Sequence, residues 1–140
     1  MKICVYGAGA VGGYLAGVMA HKGLDVSVVA RGEHLAAIRA NGLTVELPDG
    51  PVTARVHASD NPADLGPQDA VIVSVKVPSL PAIAAGLPAL LNPDTPVVFL
   101  NNGIPWWYYQ GLTGPDAGKR LPRLDPGDGL LNAVGPNRII

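Results

Sequence analysis

A glycine-rich segment that follows a short apolar run is the feature of this 140-residue sequence that most constrains its fold. Residues 3–6 (Ile-Cys-Val-Tyr) are continuously apolar and β-favouring, which is typical of a strand buried in a parallel sheet. Residues 7–12 then match G-x-G-x-x-G where a helix begins, and a second apolar strand follows at 26–30. This strand–helix–strand unit predicts an α/β fold: a Rossmann-like, doubly wound, mostly parallel sheet with helices on both faces.

Each glycine of the motif has its own physical reason. Gly7 allows the tight turn from strand to helix, Gly9 lets the main chain approach a pyrophosphate, and Gly12 permits close packing of helix on sheet. The N-terminus of the helix adds free N–H groups and a partial positive charge that attract an anion. The motif therefore predicts dinucleotide binding by Gly7, Ala8, Gly9, Ala10, Val11 and Gly12, against the alternative of a glycine-rich turn without a ligand.

The remaining periodicity predicts one domain over residues 1–140. Helices are expected at 10–22, with Val11, Leu15, Val18 and Met19 on one face, at 33–40, with Leu35 and Ile38 inward, and at 79–91, kinked or shortened by Pro88. Strands are expected at 70–75 and 96–100, and a hairpin from 43–47 and 52–56. Residues 111–136 carry six glycines and four prolines and predict a long loop, and 138–140 resemble the start of a strand, which suggests a truncated domain.

Composition narrows the class of protein. A net charge of −1 gives no basic excess for nucleic acid or an anionic membrane, and no apolar run is long enough for a transmembrane helix. The single cysteine, Cys4, is expected in the core and excludes an internal disulfide. Three scattered histidines make a metal site improbable, and Asp60, Asp64 and Asp69 fit turns or caps. We expect a cytoplasmic protein.

The residue after the second strand discriminates between dinucleotides. Proteins of this fold that bind NAD usually place an acid there, to accept hydrogen bonds from the ribose hydroxyls. This sequence has Arg31, whose guanidinium can pair with a 2′-phosphate, whereas the nearest acid, Glu33, falls in the next helical turn. The pattern favours NADP(H), with a solvated surface arginine as the alternative.

Two further polar residues follow apolar strands at the edge where ligands collect in such sheets. Lys76 can contact phosphates or donate a proton, or it can simply extend into solvent at a strand end. Asn102, in Asn101-Asn102-Gly103, can bridge a nicotinamide or ribose and a substrate oxygen, or it can serve only the turn. Spacing alone leaves these alternatives open.

Together, the glycine loop, Arg31, Val75-Lys76 and Asn102-Gly103 resemble the amino-terminal, NADP-binding domain of ketopantoate reductase (2-dehydropantoate 2-reductase). The resemblance implies NADPH-dependent reduction of a 2-oxo acid, with ketopantoate to pantoate in pantothenate biosynthesis as the prototype. It also implies that Arg31 contacts the 2′-phosphate, that Lys76 lies by the adenosine end of the cofactor, and that Asn102 touches both nicotinamide ribose and substrate.

The chain departs from this family in two ways. The family's proton-donating lysine and most substrate contacts belong to a second, helical domain that is absent here, so no catalytic residue is assigned and the chain alone is expected to be inactive. The aromatic run Trp106, Trp107, Tyr108 and Tyr109 either reshapes the substrate pocket or packs against another domain or a second copy of the chain. Alternative functions are a non-catalytic dinucleotide-sensing or interaction module, and a related hydroxyacid dehydrogenase with another substrate.

Overall fold

A five-stranded parallel sheet forms the centre of the protein, and the computed structural model describes all residues, 1–140. The sheet order is β5-β2-β1-β6-β7, and β3 and β4 pair separately as an antiparallel hairpin. The prediction of a Rossmann-like, mostly parallel α/β fold is confirmed. In chain order the elements are β1 (Lys2–Tyr6), α1 (Ala10–His21), β2 (Asp25–Val29), α2 (Gly32–Asn41), β3 (Leu43–Leu47), β4 (Gly50–Ala54), β5 (His57–Ser59), β6 (Ala70–Val73), α3 (Leu80–Ile83), β7 (Val97–Phe99) and α4 (Gly129–Val134).

Alternation along β1 divides the core between the two faces of the sheet. Val5 packs on one face with α1 and α2, where Leu35 and Ile38 point inward as predicted. Cys4 and Tyr6 pack on the other face, against the segment 80–90 and α4. The prediction that Cys4 is a core residue is confirmed. None of the helices has the length and apolar character needed to cross a membrane.

The apolar face predicted for α1 is only partly buried: Met19 packs against the core on one side of the sheet. The residues that the sheet and the hairpin cover are Gly12, Gly13, Ala16 and Gly17, whereas Val11 is 59% exposed. Small residues face inward because the hairpin packs directly on the helix: a Cβ added at Gly17 would lie 2.6 Å from Val45 Cγ1. The hairpin prediction is right for β3, but the second strand begins two residues earlier than predicted, at Gly50.

Two elements, β5 and α4, were not predicted, and one predicted helix is shorter than expected. The edge strand β5 was not predicted, and the predicted helix at 79–91 contains only one turn of α-helix, Leu80–Ile83, followed by a 3₁₀ segment, Ala84–Leu90, around Pro88. Pro88 has no N–H to donate, so a regular helix cannot continue through it.

The predicted loop at 111–136 is wrong over its last third. Its final residues form α4, whose first turn is held by the buried carboxylate of Asp125, which accepts hydrogen bonds from the backbone N–H groups of Leu130 (2.8 Å) and Leu131 (3.0 Å). Beyond α4, Ile139 forms a parallel β-bridge with Val97, which agrees with the strand start predicted at the end of the chain.

Candidate functional site

A cleft of about 1160 Å³ opens at the carboxyl ends of β1, β2, β5, β6 and β7. Eight of the nine predicted cofactor-binding residues line it: Gly7, Ala8, Gly9, Ala10, Val11, Arg31, Lys76 and Asn102. Gly12 lies beneath it, buried between helix and sheet. The fold therefore gathers into one cleft residues that the sequence separates by as many as 95 positions.

The glycine loop forms the centre of the cleft. Gly7 has a φ of +102°, and a Cβ on it would lie 2.8 Å from Val75 Cγ1, so only glycine fits this turn. Its N–H donates to the Val29 carbonyl at 3.0 Å, and its carbonyl accepts from Ser74 Oγ at 2.6 Å, which fixes the loop to both neighbouring strands. By contrast, a Cβ on Gly9 would meet nothing within 4 Å, because this residue faces the open cleft.

The N-terminus of α1 is open toward the same space. Its N-cap residue is Gly9, which has no side chain to accept a hydrogen bond from the first N–H groups, and the first turn contains no acidic residue. The N–H groups of this turn therefore remain available, and the helix dipole adds partial positive charge. A pyrophosphate requires a tight turn such as that at Gly7, exposed main chain such as that at Gly9, and a free helix N-terminus. The residues present therefore fit a dinucleotide.

Arg31 lies at the carboxyl end of β2, where its main chain forms the N-cap of α2. It is exposed and makes no ion pair within 4 Å, so its guanidinium is free to meet an anion. Nearby, burial raises the pKa of the Tyr6 hydroxyl, Cys4 raises it further and Arg31 partly opposes the shift. Tyr6 therefore remains a neutral phenol in the cleft wall at physiological pH.

Lys76 and the asparagine pair occupy the opposite side of the cleft. Lys76 is exposed just after β6 and has no ion pair, which leaves its ammonium group available. The two asparagines differ: Asn101 donates from Nδ2 to the Val75 carbonyl and so ties the ends of β6 and β7 together, whereas Asn102 makes no side-chain hydrogen bond and faces the cleft. The side-chain amide of Asn102 is therefore available to a ligand.

The aromatic run divides between core and surface. Trp106 is only 4% exposed, with its ring 5.8 Å from that of Phe99, and Trp107 packs 4.9 Å from Phe99. Tyr108 is 54% exposed. The expectation of a contact surface is therefore wrong for Trp106 and stays a prediction for the other rings. Trp106 and Trp107 also line a cavity of about 180 Å³ that adjoins Asn102.

Several residues of the cleft were not predicted from the sequence: Tyr6, His34, Asp60, Ser74, Val77, Pro78, Ser79, Ala82 and Ile83 are among them. The position of His34 three residues after Arg31, on the first turn of a helix, was a usable signal. Asp60 lines the cleft because β5 pairs with β2, and it was not predicted because β5 was not. No group of three or more His, Cys, Asp or Glu side chains is arranged to hold a metal ion.

Comparisons with known proteins find relatives of this chain in both sequence and fold. Residues 3–105 match the family described as Ketopantoate reductase PanE/ApbA. The chain is 46% identical, over all of its length, to 2-dehydropantoate 2-reductase of Mesorhizobium japonicum, and 37% identical over 105 residues to that of Caulobacter vibrioides. A crystal structure of a protein provisionally assigned as a ketopantoate reductase, from Ralstonia solanacearum, superposes with a TM-score of 0.91 at 42% identity over 98% of this chain. The chain spans 43%, 34% and 42% of the lengths of these three proteins.

Proposed function

Because the chain belongs to the ketopantoate reductase family, we propose that its cleft binds NADPH for the reduction of a 2-oxo acid, with ketopantoate as the substrate and pantoate as the product. The observation that carries this proposal is the free guanidinium of Arg31 at the carboxyl end of β2. It shares one cleft with the N-terminus of α1, whose first turn contains no acidic residue. A 2′-phosphate is the part of NADPH that NADH lacks, and it is the part a guanidinium binds best.

Charge in the cleft supports the choice of NADPH. Its lining contains two full cations, Arg31 and Lys76, and one acidic side chain, Asp60. NADPH brings three phosphate groups, so a cleft with excess positive charge and a helix N-terminus offsets part of their repulsion. The glycine loop holds the pyrophosphate through main-chain N–H groups, and Lys76 neutralises phosphate charge from the opposite wall.

The nicotinamide end of the site is assigned to Asn102. NADPH supplies, when bound, the hydride that reduces the keto carbon. Asn102 presents both a donor and an acceptor without charge, so it can orient a ribose hydroxyl and a substrate oxygen together. The aromatic cavity next to Asn102 offers space for the apolar branch of a 2-oxo acid. We assign no proton donor among these 140 residues and expect them to bind NADPH without turnover.

Titration of the purified chain with NADPH and NADH, followed by nicotinamide fluorescence, tests the proposal. The wild-type chain is expected to prefer NADPH, and Arg31→Ala is expected to weaken NADPH binding by about 1.5–3 kcal/mol, or roughly 10- to 150-fold, with little effect on NADH. Arg123→Ala is the matched control, because Arg123 is exposed, makes no ion pair and lies outside the cleft. Equal affinities for the two cofactors, or none for either, would overturn the proposal.

A further inference from the structure

Asp60 occupies a position in the cleft that the binding of phosphates does not explain. The edge strand β5 pairs in parallel with β2, with Val29 opposite Ser59, and the Ala30 N–H donates to the Ser59 carbonyl at 3.0 Å. Asp60 is therefore the first residue beyond the paired part of β5. Since neighbouring strands lie about 4.8 Å apart, it is level with Ala30 and next to Arg31. It is the only acidic residue lining the cleft.

The residues on both sides of Asp60 are held by a hydrogen-bond network that leaves Asp60 out. Ser59 Oγ donates to Asp64 Oδ2 at 2.6 Å, and Asn61 Nδ2 donates to Asp64 Oδ1 at 2.9 Å. The Asn61 N–H donates to Ser59 Oγ at 3.1 Å, which closes the network. Asp64 thus has the turn role that the sequence predicted for it, whereas the Asp60 carboxylate accepts no hydrogen bond and makes no ion pair.

This arrangement leaves the Asp60 carboxylate without a partner, at a strand end that neighbours the one carrying Arg31. Arg31 does not pair with it, although the two residues belong to adjacent strand ends, so Asp60 is not explained as a partner of that guanidinium. A carboxylate facing the phosphate itself would repel it. The group it can face favourably is a hydrogen-bond donor close to the phosphate, because an ionised carboxylate only accepts.

The adenine of NADPH brings such a donor. Base and 2′-phosphate are attached to neighbouring carbons of one ribose, so a phosphate on Arg31 places the base close to the ends of β2 and β5. Pro78, Ala82 and Ile83 offer an apolar surface in the same cleft for the flat face of the base. We propose that Asp60 accepts a hydrogen bond from the 6-amino group of adenine and thereby makes the site selective for adenine over other purines. The inference rests on the proposed binding of NADPH.

Replacing the base while keeping the phosphates isolates this contact. The probe is the hypoxanthine analogue of NADPH, in which a carbonyl oxygen replaces the 6-amino group and N1, an acceptor in adenine, carries a hydrogen. The nicotinamide and the 2′-phosphate are unchanged. Because the analogue cannot donate the hydrogen bond from the 6-position to the charged carboxylate, we expect the wild-type chain to bind NADPH at least tenfold more tightly, as measured by nicotinamide fluorescence.

The variant Asp60→Asn tests the residue itself. An amide can turn either its oxygen toward the amino group or its NH₂ toward the carbonyl, so the two ligands should bind this variant within about threefold of each other. Asp49→Asn, in the exposed hairpin turn outside the cleft, should keep the wild-type preference. Arg31→Ala should lose the preference for NADPH over NADH but keep that for adenine.

The outcomes separate this inference from the proposed function. If the wild-type chain binds NADPH and the hypoxanthine analogue equally well, Asp60 does not select the base, although NADPH binding stands. If Asp60→Asn retains the full wild-type preference while circular dichroism shows a native fold, the selectivity originates elsewhere and the inference is wrong. If NADPH does not bind at all, both proposals fail together. The wild-type comparison needs no variant, so poor folding of Asp60→Asn would not leave the inference untested.

Discussion

Replacing Gly12 by alanine would place a methyl group where the helix α1 touches the sheet. The added Cβ would overlap the carbonyl oxygen of Gly7 and Ser74 Oγ, and it would lie 3.1 Å from Val5 Cγ1. The Gly7 carbonyl is main chain and is held by Ser74, so it cannot move aside as a flexible side chain would. The helix must therefore shift, which also moves the N-terminal turn that faces the cleft.

The expected size of the effect follows from two opposing contributions. Overpacking against a rigid neighbour costs about 3 kcal/mol, the upper part of the usual range. Alanine in a helix regains about 1 kcal/mol relative to glycine. The net loss of about 2 kcal/mol in the free energy of unfolding corresponds to a fall in Tm of about 8 °C for a chain of this size.

Gly9→Ala is the matched comparison, because the same methyl group there would meet no atom within 4 Å. We expect this variant to keep the wild-type Tm but to bind NADPH at least tenfold more weakly, since the methyl group stands where the pyrophosphate approaches. Thermal unfolding by circular dichroism and fluorescence titration measure the two effects. A Gly12→Ala protein whose Tm lies within 2 °C of the wild-type value would refute the packing argument.

Two other predictions concern the core and the end of β7. Burial raises the pKa of the Cys4 thiol from 9.0 to about 12, so the native thiol should not react with a thiol reagent at pH 8 until urea unfolds the protein. The unfolded state loses this proton more readily than the native state, so the contribution of Cys4 to the free energy of unfolding is complete below pH 9 and falls as the pH rises toward about 12. In urea unfolding measured at increasing alkaline pH, Cys4→Ala should therefore lose stability less steeply than the wild-type chain. Asn101→Ala should lower the free energy of unfolding by about 1 kcal/mol, because it removes the hydrogen bond between the ends of β6 and β7. Asn102→Ala should leave Tm unchanged and weaken only the binding of NADPH. Equal losses of Tm in the two variants would contradict this division of roles.

The parts of the fold that the sequence predicted are those with a local signature. The strand, glycine turn and helix at residues 2–21 follow from residues adjacent in the chain, and so does the position of Arg31 after β2. Lys76 and Asn102 could be placed at the same edge because parallel strands carry their carboxyl ends there. For that topological reason the glycine turn, Arg31, Lys76 and Asn102 meet in one cleft.

The elements that were missed depend on contacts between distant segments. Strand β5 has only three residues and is defined by its pairing with β2, so its own sequence, His-Ala-Ser, carries no strand pattern. Helix α4 begins with glycine and has six residues, and it depends on Asp125 and on burial of Leu130 and Val134 against the segment 84–90. Asp60 could not be assigned to the cleft without β5, because only the pairing of β5 brings it beside Arg31.

The glycines of α1 contact two partners, which explains why the apolar face predicted for this helix is only partly buried. Gly12 faces the sheet, where it leaves room for the Gly7 carbonyl and Ser74. Gly13 and Gly17 face the β3–β4 hairpin, where a Cβ would come within 4.0 Å of Leu43 and 2.6 Å of Val45. A helix with large apolar residues in these positions would be held away from both, and its N-terminus would no longer lie level with the ends of β1 and β2. These small residues bring the helix backbone close to the sheet, and they thereby also set how far the anion-binding turn lies above the sheet. The extended run G-x-G-x-x-G-G-x-x-x-G therefore constrains the packing of the helix on two sides as well as the approach of a ligand.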